Sequence, residues 1–214
     1  GSYDPVTNTV FFGPGNTYDT APLRNRSEDP NYTNDALYTD TTLALDPATG
    51  QLKWHFQHVK NDQWDLDWAF ERQILDLPVN GRPERVVVTA GKMSIHDVLD
   101  AATGKYLYSI DLGLQNLVTA IDPVTGAKTI DPTKIPGDGE PKTICPHVEG
   151  GKNWTPSSYN PATHTLFVAI VESCMTMTPV GPNGHGLLST GVQVGLKPRP
   201  GSDGRFGRLE AVDL

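Results

Sequence analysis

The sequence predicts an all-β chain built from blades of a β-propeller. Three observations carry this reading. Turn-formers are abundant: 21 Gly and 18 Pro among 214 residues, about 18% against roughly 12% in average usage. Two different strand-turn-strand patterns each occur twice. They alternate along the chain, with a spacing that suits four strands and their loops.

The first pattern opens the chain. Ser2-Tyr3-Asp4-Pro5-Val6-Thr7-Asn8-Thr9-Val10-Phe11-Phe12 returns as Ser158-Tyr159-Asn160-Pro161-Ala162-Thr163-His164-Thr165-Leu166-Phe167-Val168. Each copy reads as a strand end, an Asp/Asn-Pro turn and an apolar strand. Asp or Asn followed by Pro initiates turns, because the side chain bonds nearby backbone and Pro fixes φ.

The second pattern is Ala44-Leu45-Asp46-Pro47-Ala48-Thr49-Gly50-Gln51-Leu52-Lys53-Trp54, repeated as Val98-Leu99-Asp100-Ala101-Ala102-Thr103-Gly104-Lys105-Tyr106-Leu107-Tyr108. It predicts a hairpin whose D-x-x-T-G turn needs Gly for a positive φ, with an aromatic eight residues after the Asp. A third start, Leu209-Glu210-Ala211-Val212-Asp213-Leu214, ends before its turn. The repeats therefore lie at 1–54, 67–110 and 153–214. The stretches 112–152 and 175–207 are rich in Gly and Pro and read as long loops, where function sits on such folds. This gives between two and three blades. A closed ring needs at least four, so the chain is expected to be part of a larger propeller. An ordinary β-sandwich is the competing reading.

Composition excludes several classes. Lys plus Arg number 17 and Asp plus Glu 25, a net charge of −8; a nucleic-acid binder needs a basic face. No apolar run reaches 18 residues, so no transmembrane segment is expected. The start at Gly1-Ser2-Tyr3 lacks Met and a targeting stretch, which predicts a processed or tagged chain or a fragment. Two cysteines, Cys145 and Cys174, are too few for a thiolate zinc cage.

The densest polar-aromatic cluster is Asn61-Asp62-Gln63-Trp64-Asp65-Leu66-Asp67-Trp68. In an extended segment Asp65 and Asp67 point to one side. They then suit either a shared hard cation or mutual elevation of their pKa values, which makes a general base. A solvated acidic turn accounts for the bare pattern as well. His55 and His58, three apart, face opposite sides of a strand and are not read as ligands.

The D-x-x-T-G-x-x-x-W repeat, the N-D-x-W-D-x-D segment and the later C-P and G-x-K-N-W segments resemble the quinoprotein alcohol dehydrogenases. The resemblance runs from Tyr3 to Leu214. It implies an eight-bladed propeller holding pyrroloquinoline quinone (PQQ) in the periplasm, and oxidation of a small alcohol to an aldehyde or ketone. Hydride passes to PQQ, and a cytochrome c takes the electrons. By position, Asp65 is the implied base. Asn16, in Gly13-Pro14-Gly15-Asn16, is an implied metal ligand with Asp65. Asp67 sits where lanthanide-dependent members carry an additional Asp, so the cation is Ca2+ or a lanthanide.

Lys92 occupies the place of the basic residue that touches the quinone oxygens, where a cation stabilises developing negative charge. From the bare sequence it is equally a surface lysine at a strand end. Asn153 and Trp154 match an Asn-Trp pair beside the cofactor, although Trp154 also suits blade packing. Cys145 and Cys174 match a family disulfide, with two buried free thiols as the alternative. The sequence departs from the family after W-D-x-D, where Trp68-Ala69-Phe70-Glu71 replaces Gly-Val-Asn, and in the region 17–40. The remaining blades, an upstream metal-binding Glu and a stacking Trp are not in this chain. The isolated chain is therefore expected to be inactive. A non-catalytic propeller scaffold with the same repeats is the rival function.

Overall fold

A computed structural model describes residues 1–17, 20, 23–24, 28–137, 139–180 and 191–214. Strands dominate. β1 (Ser2–Asp4), β2 (Thr9–Phe12), β3 (Thr41–Leu45) and β4 (Leu52–Gln57) form one antiparallel sheet in sequence order. β5 (Gln73–Val79), β6 (Arg82–Ala90), β7 (Ile95–Asp100) and β8 (Tyr106–Asp111) form a second. These are two four-stranded blades. β12 (Ser158–Asn160), β13 (Thr165–Val171) and β16 (Gly207–Asp213) supply three strands of another.

The repeats fold alike because their side chains make the same local bonds. In the sheet-one hairpin, Asp46 accepts from Ala48 N, Thr49 N and Thr49 Oγ1 at 2.9, 2.9 and 3.0 Å. In sheet two, Asp100 accepts from Thr103 N and Oγ1 at 2.8 and 2.6 Å. Gly50 and Gly104 both take φ +72°, a conformation that costs a side-chain-bearing residue about 1–2 kcal/mol. Consecutive blades interlock at this turn: a Cβ on Gly104 would lie 2.4 Å from the Trp54 ring. Trp54 thus docks on the glycine of the next hairpin.

The stretches read as long loops contain strands. Within 112–152 lie the hairpin β9 (Val118–Ile121) and β10 (Lys128–Ile130), and β11 (Lys142–Ile144). The hairpin turn, Asp122-Pro123-Val124-Thr125-Gly126, is a further D-x-x-T-G. Asp122 accepts from Val124 N, Thr125 N and Thr125 Oγ1 at 2.9, 2.7 and 2.9 Å. A Cβ on Gly126 would lie 2.4 Å from the Tyr106 ring, so this turn docks Tyr106, six residues after its Asp and not eight. Within 175–207 run most of β14 (Ser173–Pro179) and all of β15 (Val192–Pro198), which pair with β11 in a third kind of sheet; residues 181–190 lie outside the described residues. In both regions the high Gly and Pro content masks short alternating strands in the sequence.

Cys145 and Cys174 are joined in a disulfide with a sequence separation of 29. It links the end of β11 to β14, beside a core that includes Trp64, Leu66, Trp68, Met93, Ile144 and Met175.

Candidate functional site

Antiparallel order sends alternate connections to opposite ends of the sheets. The D-x-x-T-G turns of the two blades lie at one end. The β2–β3, β4–β5 and β6–β7 connections lie at the other, and these carry Asn16, Asp65 with Asp67, and Lys92. The four residues meet there. Lys92 Nζ is 2.6 Å from Asp67 Oδ2 and 3.4 Å from Asp65 Oδ1, and donates to Asp65 O at 2.8 Å. Asn16 N donates to Asp67 Oδ1 at 2.8 Å. The carboxyl groups of Asp65 and Asp67 influence one another's protonation.

They do not meet through an extended segment. No strand covers residues 58–72, and Asp65 has φ +60°, a left-handed conformation uncommon for any residue but Gly. The turn is wrapped instead around Asp62, which is buried and accepts from Trp64 N at 2.8 Å and Leu66 N at 2.5 Å. Strained backbone of this kind persists where its surroundings over-determine it. Asp40 Oδ1 accepts from Trp68 N at 3.0 Å, and Lys92 N donates to Asp67 O at 3.0 Å. The buried Arg72 donates to Trp68 O, Phe70 O and Thr41 O at 2.5, 2.6 and 3.1 Å.

Trp68, the first residue departing from the family pattern, has its own slot. Its ring stacks on His58 with centroids 4.8 Å apart and planes at 2°, while Lys128 Nζ lies 4.9 Å from its centroid. A Cβ on Gly91 would come 2.3 Å from this ring. His58 is not free to ligate. Its Nε2 contacts Thr42 Oγ1 at 2.8 Å and its Nδ1 contacts Asp97 Oδ2 at 2.7 Å. Lys128 Nζ closes the network on the same Asp97 oxygen at 2.6 Å. Asp40, Arg72 and the His58–Asp97–Lys128 network are the supports that sequence reasoning missed. Only Asp62 carried a signal, as the second residue of N-D-x-W-D.

The electrostatics separate the carboxyls. Burial pushes Asp65 up to about 7, aided by the Asp67 charge and opposed by Lys92. Burial likewise raises Asp62 to about 6, and holds Asp40 well above the usual carboxylate range. Asp67 is half-buried, which opposes its ionisation, but Lys92 and the Asn16 N–H hold it below its ordinary value. A carboxyl titrating near neutrality beside a fixed carboxylate and an ammonium is equipped to accept and release a proton.

Asn153 and Trp154 stand apart from the carboxylates. The turn before them packs on Lys92: Gly151 N donates to Lys92 O at 2.8 Å. Asn153 Nδ2 donates to Glu149 O at 2.6 Å, and its Oδ1 accepts from Trp154 N at 2.7 Å. Trp154 is 68% exposed and meets Phe70 edge-to-face at 5.0 Å. With Phe12, Gly13 and Glu71, these two rings border a cavity of about 280 Å³.

Residues 1–114 match the family described as PQQ-dependent glucose/ethanol/alcohol dehydrogenase, β-propeller domain. The chain belongs to this PQQ dehydrogenase propeller family. Among curated relatives it is 31% identical to a lupanine 17-hydroxylase [cytochrome c] of Pseudomonas sp over 92% of this chain and 28% of the relative. It is 34% identical to the dehydrogenase subunit of an alcohol dehydrogenase (quinone) of Gluconobacter oxydans (strain 621H), over 78% of this chain and 22% of the relative. Among solved structures, a europium-containing methanol dehydrogenase superposes with a TM-score of 0.83 at 25% identity, over 99% of this chain and 36% of that one. The quinohemoprotein alcohol dehydrogenase of Comamonas testosteroni gives 0.80 at 28% identity, covering 99% and 32%. The chain thus spans about a quarter of the length of these curated relatives.

The cluster's chemistry suits the family's cation. Among the described residues no three His, Cys, Asp or Glu side chains are grouped to hold a metal ion. Asp65 and Asp67 offer carboxylate oxygens, which suit a hard cation, and Asn16 reaches the cluster through its backbone N–H. The Lys92 ammonium contacts both carboxylates.

Proposed function

We propose that this chain supplies part of the active site of a PQQ-dependent alcohol dehydrogenase, acting in the periplasm on a small alcohol and passing electrons to a cytochrome c. The observation that carries the reading is the convergence of Asn16, Asp65, Asp67 and Lys92 from three connections at one end of the blades. A scaffold needs no such set, and burying two carboxyls in contact is unfavourable without a cationic partner.

In this reading Asn16, Asp65 and Asp67 hold a Ca2+ or lanthanide ion, with Asp67 favouring the higher charge. The name of the europium-containing relative fits that preference. Bound PQQ supplies the hydride acceptor. Asp65 takes the hydroxyl proton at its carboxylate. Lys92 provides positive charge where the quinone oxygens become negative. Asn153 and Trp154 flank the cofactor with an amide and an exposed ring face. Because the chain covers about a quarter of its relatives, the rest of the propeller completes the pocket. The chain alone neither binds PQQ tightly nor turns over. Among the described residues no helix is long and apolar enough to cross a membrane.

The test is Asp65→Asn in the full-length protein, assayed with an artificial electron acceptor, PQQ and Ca2+ or La3+. Turnover is expected to vanish with the unfolding transition unchanged. An unchanged rate removes Asp65 from its role and favours the scaffold.

A further inference from the structure

The His58–Asp97–Lys128 network has a direction. Asp97 is buried, and its contacts are all with donors. Ser109 Oγ donates to Oδ1 at 2.6 Å, while Lys128 Nζ and His58 Nδ1 lie 2.6 and 2.7 Å from Oδ2. Burial opposes ionisation of Asp97, but Lys128 and His58 hold its carboxyl down at about 2. A carboxylate only accepts, so His58 Nδ1 carries a hydrogen. Burial holds His58 down to about 4 against the pull of Asp97, so the ring is neutral and Nε2 is a bare acceptor.

Thr42 Oγ1, 2.8 Å from Nε2, then donates to it. The Thr42 oxygen keeps its lone pairs, and it accepts from Arg72 Nε at 3.2 Å. The hydrogens are thereby assigned in one order: Arg72 donates to Thr42, Thr42 to His58, and His58 to Asp97. Buried chains of this kind polarise one another and hold their side chains in one orientation.

Both ends of the relay grip the residue after Asp67. At one end Arg72 Nε is committed to Thr42. This aims Nη1 at Phe70 O and Nη2 at Trp68 O and Thr41 O, at 2.6, 2.5 and 3.1 Å. The same guanidinium fills the space beside Gly13, where a Cβ would lie 1.9 Å from Nη1. Gly13 begins the connection that carries Asn16. At the other end the His58 ring lies flat on Trp68, whose N–H is held by Asp40 Oδ1. Trp68 is thus fixed at its amide, its carbonyl and its ring.

We propose that Arg72, Thr42 and His58 are positioning residues for Asp65 and Asp67, acting as one directed relay that fixes Trp68. They touch no reacting atom. The effect of the relay on turnover rests on the reaction proposed above; its hydrogen placement does not.

The relay is tested in the full-length protein. Imidazole nitrogen shifts of the His-labelled wild type are expected to show His58 neutral, with its hydrogen on Nδ1. A hydrogen on Nε2 overturns the relay, and this measurement needs no variant. Thr42→Val keeps the side-chain shape and removes the hydroxyl. It is expected to speed hydrogen exchange at the Trp68 N–H and to lower kcat by about tenfold, with KM for the alcohol little changed. Thr42→Ser restores the hydroxyl and is expected to recover most of kcat. Unchanged exchange or kcat in Thr42→Val, or a Thr42→Ser as slow as Thr42→Val, overturns the positioning role. A wild type that oxidises no alcohol refutes the proposed reaction alone; the imidazole shifts and the exchange at Trp68 then decide the relay.

Discussion

Asp62→Ala is the sharpest probe of how the site is built. The Asp62 carboxylate is buried and accepts from Trp64 N and Leu66 N. Alanine leaves both N–H groups without that acceptor in a region packed by Trp64 and Leu66, which are 2% and 0% exposed. Hydrogen bonds to a charged group contribute about 1.5–3 kcal/mol each, so the loss is on the order of 3–6 kcal/mol. Asp62→Asn keeps one acceptor oxygen and is expected to lose about half. The same turn holds Asp65 at φ +60°, so its carboxyl is released from Lys92 as well. Equilibrium urea unfolding of the full-length protein reads the first effect as a lowered midpoint. Turnover reads the second, with Asp62→Ala losing kcat by a factor of ten or more and Asp62→Asn intermediate. An Asp62→Ala midpoint equal to wild type refutes the reasoning. A lowered midpoint with unaltered kcat refutes the link from Asp62 to Asp65.

Three other perturbations test the remaining supports. Replacing Cys145 and Cys174 together by Ser opens a loop of 29 residues, worth about 3–4 kcal/mol in the chain-entropy model; calorimetry is expected to show a lower Tm, matched by wild type in reductant. Gly104→Ala places a methyl in the Trp54 ring at φ +72°; about 2 kcal/mol or more of stability is lost, while Gly81→Ala, with open space around it, loses only its backbone share. His58 and His96 are both held down to about 4, by burial first. The unfolded chain binds their protons near pH 6.5 and the folded chain does not, so their contribution to stability falls as pH drops from about 6.5 to 4 and is level below. Asp40, Asp62 and Asp65, raised by burial, act with the opposite sign over the same window, so the His58 share is read as the difference in urea midpoint between wild type and His58→Gln from pH 7 to 4.

Much of the fold was legible because its signals are local. Asp46, Thr49 and Gly50 close their turn with bonds among themselves, and a pattern of that kind survives in sequence. The same signal lay unread at Asp122–Gly126, masked by the Gly and Pro around it. The cluster was legible in its charged members: Asp65, Asp67 and Lys92 do meet, joined by the backbone of Asn16. Their route was not, since Asp65 reaches Asp67 through a left-handed turn that no alternation rule describes. The supports were invisible for a different reason. Asp40, Arg72 and the His58–Asp97–Lys128 network act across 28 to 39 residues of chain, and isolated polar residues carry no mark of the partner they will find. Asn153 and Trp154 matched by position, yet their polar groups bond within their own turn.

In the reading proposed above, Asn16, Asp65 and Asp67 form a cation site on these blades. Terbium luminescence, sensitised by nearby tryptophan and titrated into the full-length protein, measures it without turnover. One saturable site is expected, which Asp67→Ala weakens at least tenfold for terbium and much less for Ca2+ in competition. Equal terbium affinity in wild type and Asp67→Ala would contradict it.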